Sequence, residues 1–140
     1  MIRSFLLALL FVGIPFPGSA AEISTTDAAA IRAVVEQQLD AFARDDARRA
    51  FGLATSGIRA RFGNAEAFMA MVRAEYPVVY RPRRVDFENP VVIEGEIMQP
   101  VRMIDAEGAA WIALYPMQRQ SNGVWRINGC QLARLGGRQV

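Results

Sequence analysis

Apolar residues along this chain change their spacing twice. From residue 5 to residue 14 they form an unbroken run, from residue 31 to residue 76 they recur at steps of three and four, and beyond Pro77 they alternate or gather in short runs. Steps of three and four belong to amphipathic helices, and alternation belongs to strands. Ser24 followed by Asp27 resembles a capping box ahead of Ile31, Val34, Val35, Leu39 and Phe42, which predicts a first helix of about four to five turns. Asp45 and Asp46 interrupt it and offer a fresh N-cap, so Ala47, Ala50, Phe51 and Ala54 predict a short second helix. Gly63 and Asn64 mark another break and cap, and Phe68, Met69, Val72 and Tyr76 predict a third helix that Pro77 ends.

The second half reads as sheet. Between Arg83 and Glu88, Val85 and Phe87 face one way while Arg84, Asp86 and Glu88 face the other. Val91 to Ile93 is a short strand between Pro90 and Gly95. Gln99 to Ile104, Ala110 to Met117 and Val124 to Leu132 are separated by the turns at 105–108 and 121–123, a pattern that predicts an antiparallel meander. The stretch from Trp111 to Met117 is apolar at successive positions, where a strand with one wet face would alternate. It is expected to be covered on both sides, by helices on one and by a second copy of the chain on the other, hence a homodimer through the sheet.

The unbroken run near the start changes the picture of compartment. Arg3, the apolar residues from Phe5 to Ile14, then Pro15, Pro17 and the small residues Gly18 to Ala20 follow the order of a cleavable signal peptide, with the cut near Ala20. Pro15 and Pro17 interrupt the run well short of the roughly 20 residues a spanning helix needs, so no stable membrane anchor is expected after cleavage. The expected mature chain is a single α+β domain over residues 21–140, exported to the periplasm or secreted.

Composition narrows the chemistry mainly by what it lacks. There is no histidine, which removes Ser-His-Asp and Cys-His mechanisms and histidine metal ligands. The single cysteine, Cys130, cannot form an internal disulfide, so packing must hold the domain together. The formal charge of +2 falls to +1 without Arg3, and a balanced, exported chain gives no reason to expect nucleic acid.

The segments Arg44-Asp45-Asp46-Ala47, 62–68 (Phe62 to Phe68), 76–82 (Tyr76 to Pro82) and Trp125-Arg126-Ile127-Asn128-Gly129-Cys130 resemble an uncharacterised family of exported bacterial proteins, the domain-of-unknown-function 4864 family. The resemblance covers roughly residue 27 to residue 134. It implies an α+β fold of the nuclear-transport-factor-2-like, or cystatin-like, kind, in which N-terminal helices pack on a curved antiparallel sheet. It implies no activity and no site residue.

In such an architecture the cone between the first helix and the concave sheet is the natural pocket. Gln38 interrupts the apolar stripe of the first helix and needs a partner, which Tyr115, Asn128 or Gln131 could supply; these four are the candidate ligand-binding residues, against the alternative of a satisfied buried amide. Asp40, Tyr76, Tyr80 and Tyr115 are the candidates for acid–base chemistry without histidine, with no pair of carboxylates forced together and no catalytic residue assignable. Cys130 is a small buried hydrophobe, an intersubunit disulfide partner or a redox-sensitive thiol, and Arg126 was expected on its face of the strand. Arg73, Arg81, Arg83 and Arg84 around Tyr76 and Tyr80 read as an anion-holding cluster or as a solvated rim. The methionines Met69, Met71, Met98, Met103 and Met117 lack a tight repeat, so no metal and no cofactor is expected. The residues together favour a non-catalytic module for a small apolar or amphipathic ligand or a protein partner; the alternative is a small isomerase- or hydrolase-like enzyme using aspartate and tyrosine.

Overall fold

The computed structural model describes residues 23–136, so the expected signal peptide at residues 1–20 lies outside the described range. The order of elements is α1 (Thr25–Ala43), α2 (Ala47–Gly52), α3 (Ser56–Phe62), α4 (Ala65–Glu75), α5 (Pro77–Tyr80), β1 (Arg84–Phe87), β2 (Val91–Ile93), β3 (Glu96–Ile104), β4 (Ala110–Arg119), β5 (Trp125–Ile127) and β6 (Gln131–Arg134). The helices pack against one antiparallel sheet that curls into a half-barrel, an α+β architecture. No helix among the described residues is long and apolar enough to cross a membrane.

The caps read from the sequence all form. Ser24 Oγ accepts from the Asp27 amide at 3.0 Å, Asp46 from Arg49 at 3.1 Å and Asn64 from Ala67 at 2.8 Å, each satisfying an amide the helix leaves open. Between the second and third expected helices the chain builds one more, α3, a short helix whose apolar pattern is the single step from Ile58 to Phe62 and none of whose side chains is fully buried. Thr55 caps it through Oγ1, and Gly63 closes it at φ 85°, a left-handed conformation that costs glycine little. Pro77 does not end the helical region outright; it opens the single turn α5, where its missing N–H is no loss.

The core lies between α1, α2, α4 and α5 and one face of the sheet. Ile31, Val35 and Phe42 form the buried stripe of α1, and they meet Val101, Met103, Ala113, Tyr115 and Met117. Every one of these β3 and β4 residues has an odd number. Their even-numbered neighbours Pro100, Ile104, Ile112 and Leu114 point to the other face and take no part in that core. Phe68 is the hub of the helical layer, with ring centroids 6.0 Å from Phe42, 5.6 Å from Phe51 and 5.6 Å from Phe62.

Strands β3 and β4 pair along their length, Ile97 with Met117 through Ile104 with Ala110. Each is flanked by a row made of two short strands: β1 and β2 beside β3, β5 and β6 beside β4. The expected continuous strand from Val124 to Leu132 is therefore two strands, and the break has a physical cause. Pro116 accepts from the Asn128 amide at 2.7 Å but has no N–H to return. The register then slips by one residue, from Met117 opposite Ile127 to Leu114 opposite Gln131, so that Gly129 and Cys130 both stand opposite Tyr115. Gly129, at φ 118°, takes the strained position of this bulge.

The same event occurs on the other side of the sheet. Pro100 accepts from the Glu88 amide at 3.1 Å and cannot donate back, and the register slips between Phe87 opposite Val101 and Val91 opposite Met98. Here a side chain substitutes for the missing donor. Gln99 Nε2 gives hydrogen bonds to the carbonyls of Glu88 at 2.7 Å and Pro100 at 2.9 Å. Gln99 and Tyr115 are cross-strand partners, so both bulges fall on one line across the sheet.

One polar cluster ties the turn after α1 to α5. Asp45 sits at φ 52°, and its carboxylate accepts from the Tyr80 hydroxyl, from Arg81 at 3.1 Å and from Arg73 at 3.5 Å. Arg81 also donates to the Phe42 carbonyl and lies 4.1 Å from the centre of the Tyr80 ring. The arginine cluster of the sequence is thus partly consumed within the molecule. Arg73 and Arg81 hold Asp45, and Arg84 pairs with Asp86 at 2.9 Å.

Two predictions follow from this packing and these charges. Phe68→Ala should lower the free energy of urea unfolding by about 3–5 kcal/mol, since it removes the aromatic hub; a loss below about 1 kcal/mol would contradict the packing described. The second concerns pH. The Asp45 carboxyl is held below its usual range first by the Tyr80 hydroxyl, and Asp40 likewise by Arg49 and Arg44. A depressed carboxylate contributes stability above its unfolded value of about 4, and that contribution is lost as pH falls further. On the alkaline side, burial pushes Cys130 up to about 12, so stability is present below the unfolded thiol value of about 8.5 and is lost as pH rises toward 12. With no histidine, melting temperature should be flat from about pH 5 to pH 8, fall on both sides, and fall less steeply in acid for Asp45→Asn.

Candidate functional site

A cavity of about 250 Å3 opens between α1, α3 and α4 and the concave face of the sheet. Its apolar walls come from Phe42, Ile58, Phe62, Phe68, Val72 and Ile127, and Met71 and Arg61 also line it. The polar part of the lining comes mainly from the bulged row. Asn128, Gly129, Cys130 and Gln131 lie along it, with Tyr115 from β4 and Gln38 from α1. All four candidate ligand-binding residues therefore border one space, as does Cys130.

Their bonding differs from the sequence expectation. Gln38, 4% exposed, donates through Nε2 to the Ala50 carbonyl at 3.1 Å, so its partner is the backbone of α2 and not Tyr115, Asn128 or Gln131. Asn128 Oδ1 accepts from Thr55 Oγ1 at 2.8 Å, which leaves the Asn128 NH2 group as a donor. The same strand end is stitched to the α2–α3 connection by the backbone. Ile127 donates to Leu53 at 3.0 Å and accepts from Thr55 at 2.9 Å, so residues 53–55 run beside β5 like a further short strand. Arg126 donates to the Gly52 carbonyl from the opposite face, because the bulge separates it from the residues that follow.

Tyr115 is the most deeply buried of these polar groups. It is 1% exposed, and among the described residues its hydroxyl makes no hydrogen bond of good geometry, its nearest polar neighbour being the Cys130 thiol. Burial, and then the neighbouring Cys130, push its ionisation well above the ordinary tyrosine range, so it is a neutral O–H at any physiological pH. Cys130 is likewise held protonated by burial, up to about 12, with only a partial opposing effect from Tyr115. A thiol in that state is a poor nucleophile and a poor target for oxidation, which favours the packing role for Cys130 over the redox one.

The acid–base candidates do not converge. Among the described residues no aspartate or glutamate lines the cavity. Asp40 lies elsewhere on α1, bonded to Arg44 at 3.1 Å and Arg49 at 2.8 Å. Tyr80 is spent on Asp45. Tyr76 borders the cavity and also a shallower groove of about 650 Å3 that runs past α5 to Trp111. In that groove Asp105 is held by Trp111 Nε1 at 2.9 Å and by the amides of Ala109 and Glu107, as the anchor of the β3–β4 turn. Among the described residues no three His, Cys, Asp or Glu side chains are grouped as metal ligands would be.

Arg61 lines the cavity and Thr55 holds Asn128, and neither was picked from the sequence. Thr55 caps α3 and Arg61 lies within it, and the signal for them was present. Thr55 precedes Ile58 and Phe62, which recur at a helical step, and Arg61 follows Ile58 by three residues and so shares their face. Arg61 is the one charged side chain among the described residues of the cavity lining. No curated protein and no solved structure matches the chain. Residues 24–140 match the family model described as a domain of unknown function, DUF4864, and the chain belongs to that family.

Proposed function

We propose that this chain is an exported, non-catalytic binding module that takes a small amphipathic ligand into the cavity between the helical layer and the concave sheet. The observation that carries the reading is the Tyr115 hydroxyl in the wall of that cavity, buried, neutral and without a hydrogen bond of good geometry among the described residues. An unsatisfied buried donor costs about 1–3 kcal/mol, and a ligand oxygen that accepts from it would recover that cost. The size suits a small molecule: an apolar cavity of about 150 Å3 already accommodates benzene. The absence of a carboxylate among the described residues of the lining counts against the aspartate–tyrosine enzyme, and the protonated state of Cys130 counts against a thiol enzyme.

A second reading concerns the sheet. The even-numbered face of β3 and β4 carries Ile104, Ile112 and Leu114 away from the helices, and Val91 and Ile93, 41% and 40% exposed, continue it at the β2 edge. A homodimer through this face would cover it together with the exposed pairs Arg84–Asp86 and Arg102–Glu88, which lie on the same face, Arg102 opposite Ile112.

Tyr115→Phe separates the first reading from a purely structural one. Removing the hydroxyl should raise stability in urea by about 1 kcal/mol and reduce the ligand recovered by mass spectrometry from protein purified out of its own cells. A variant less stable than wild type would mean that the hydroxyl is bonded within the fold, and the reading would lose its support. For the dimer, light scattering at tens of micromolar should give twice the chain mass, and Leu114→Arg should return a folded monomer; a monomeric wild type ends that proposal.

A further inference from the structure

Resting on the cavity reading, the next question is what kind of ligand head group the lining accepts. The open side-chain polar groups are the Tyr115 O–H with the Cys130 thiol beside it, the Asn128 NH2, whose Oδ1 is taken by Thr55, and the amide of Gln131, which can donate or accept. Gln38 has already committed an N–H to Ala50. The charge is of one sign as well. Among the described residues Arg61 forms no ion pair, and no carboxylate lines the space.

We infer that the ligand is a small apolar monocarboxylate, its hydrocarbon part against Phe42, Phe62 and Phe68 and its carboxylate held by the cavity's donors and the field of Arg61. A carboxylate is acceptor-only with two oxygens, which suits the Tyr115 O–H and the Asn128 NH2, and its charge is opposite to that of Arg61, whereas an ammonium would meet a like charge. Burying the charge requires a counter-charge, and among the described residues of the lining Arg61 supplies it. A phosphate or dicarboxylate would bring more charge than one guanidinium offsets.

Titration calorimetry with octanoate and 1-octanol tests this. The pair shares a chain and differs in the head group. Octanoate should bind wild type at least about fivefold more tightly than 1-octanol, the scale of one partly exposed charge pair. Arg61→Gln should remove that preference while changing 1-octanol binding by less than about twofold, since Arg61 is exposed and its contact with the fold is the Phe62 ring at 5.9 Å; Arg61→Lys should restore most of the preference. Equal binding of the two probes, or a preference that survives Arg61→Gln, overturns the carboxylate assignment while leaving the cavity reading in place. Binding of neither probe, together with no retained molecule in the native protein, overturns both.

Discussion

The sheet of this protein is governed by a missing hydrogen-bond donor, twice. Pro100 and Pro116 occupy the two central strands, the positions where proline is least expected, and each leaves one rung of the ladder without an N–H. Both outer rows respond in the same way, by inserting one residue opposite the Gln99–Tyr115 pair. Bulges bend the strand that carries them and increase its twist, and two of them on one line give the sheet its curl. The concavity that receives α1 follows from that bend, and so does the space left beside Tyr115. Without it a flat sheet would pack its odd-numbered face against the helices with no room between.

The two ends of that line are finished differently, and the difference separates structure from site. At the β1–β2 end, Gln99 supplies the lost donor to Glu88, and the side chain is fully buried, its Oε1 without a partner among the described residues. At the β5–β6 end no side chain performs that service. The bulge is braced instead by the backbone and side-chain bonds to residues 52–55, and its inner edge stays open to the cavity. A sheet that needed only to be curved could have used the first solution on both sides.

How much of this the sequence disclosed depended on whether a feature was local. Caps at Ser24, Asp46 and Asn64, the apolar stripe through Ile31, Val35 and Phe42, and the alternation of Val85 and Phe87 are set by neighbouring residues, and all were legible. The site was half legible. Gln38, Tyr115, Asn128 and Gln131 were picked as polar groups facing a cone, and they do border one cavity, but the partner of Gln38 is a carbonyl, which carries no residue-type signal. Helix α3 escaped because its apolar pattern is the single step from Ile58 to Phe62, and Arg61 escaped with it. The slip in register at Gly129 was invisible because strict alternation was carried through it, which placed Arg126 on the wrong side of the strand. Pro116 was the clue: a proline inside a central strand announces that the neighbouring row cannot run straight past it.

The stitching of residues 53–55 to β5 has one more consequence. The segment that leads into α3, and hence to Arg61, is joined through Ile127 and Asn128 to the strand row that carries Cys130 and Gln131. The mouth of the cavity and its polar wall are therefore parts of one hydrogen-bonded body rather than a loop closing over a floor. A molecule entering would find its surroundings already ordered, so the loss of freedom on association would fall on the guest and not on the host, and selectivity would come from shape and charge fixed in advance.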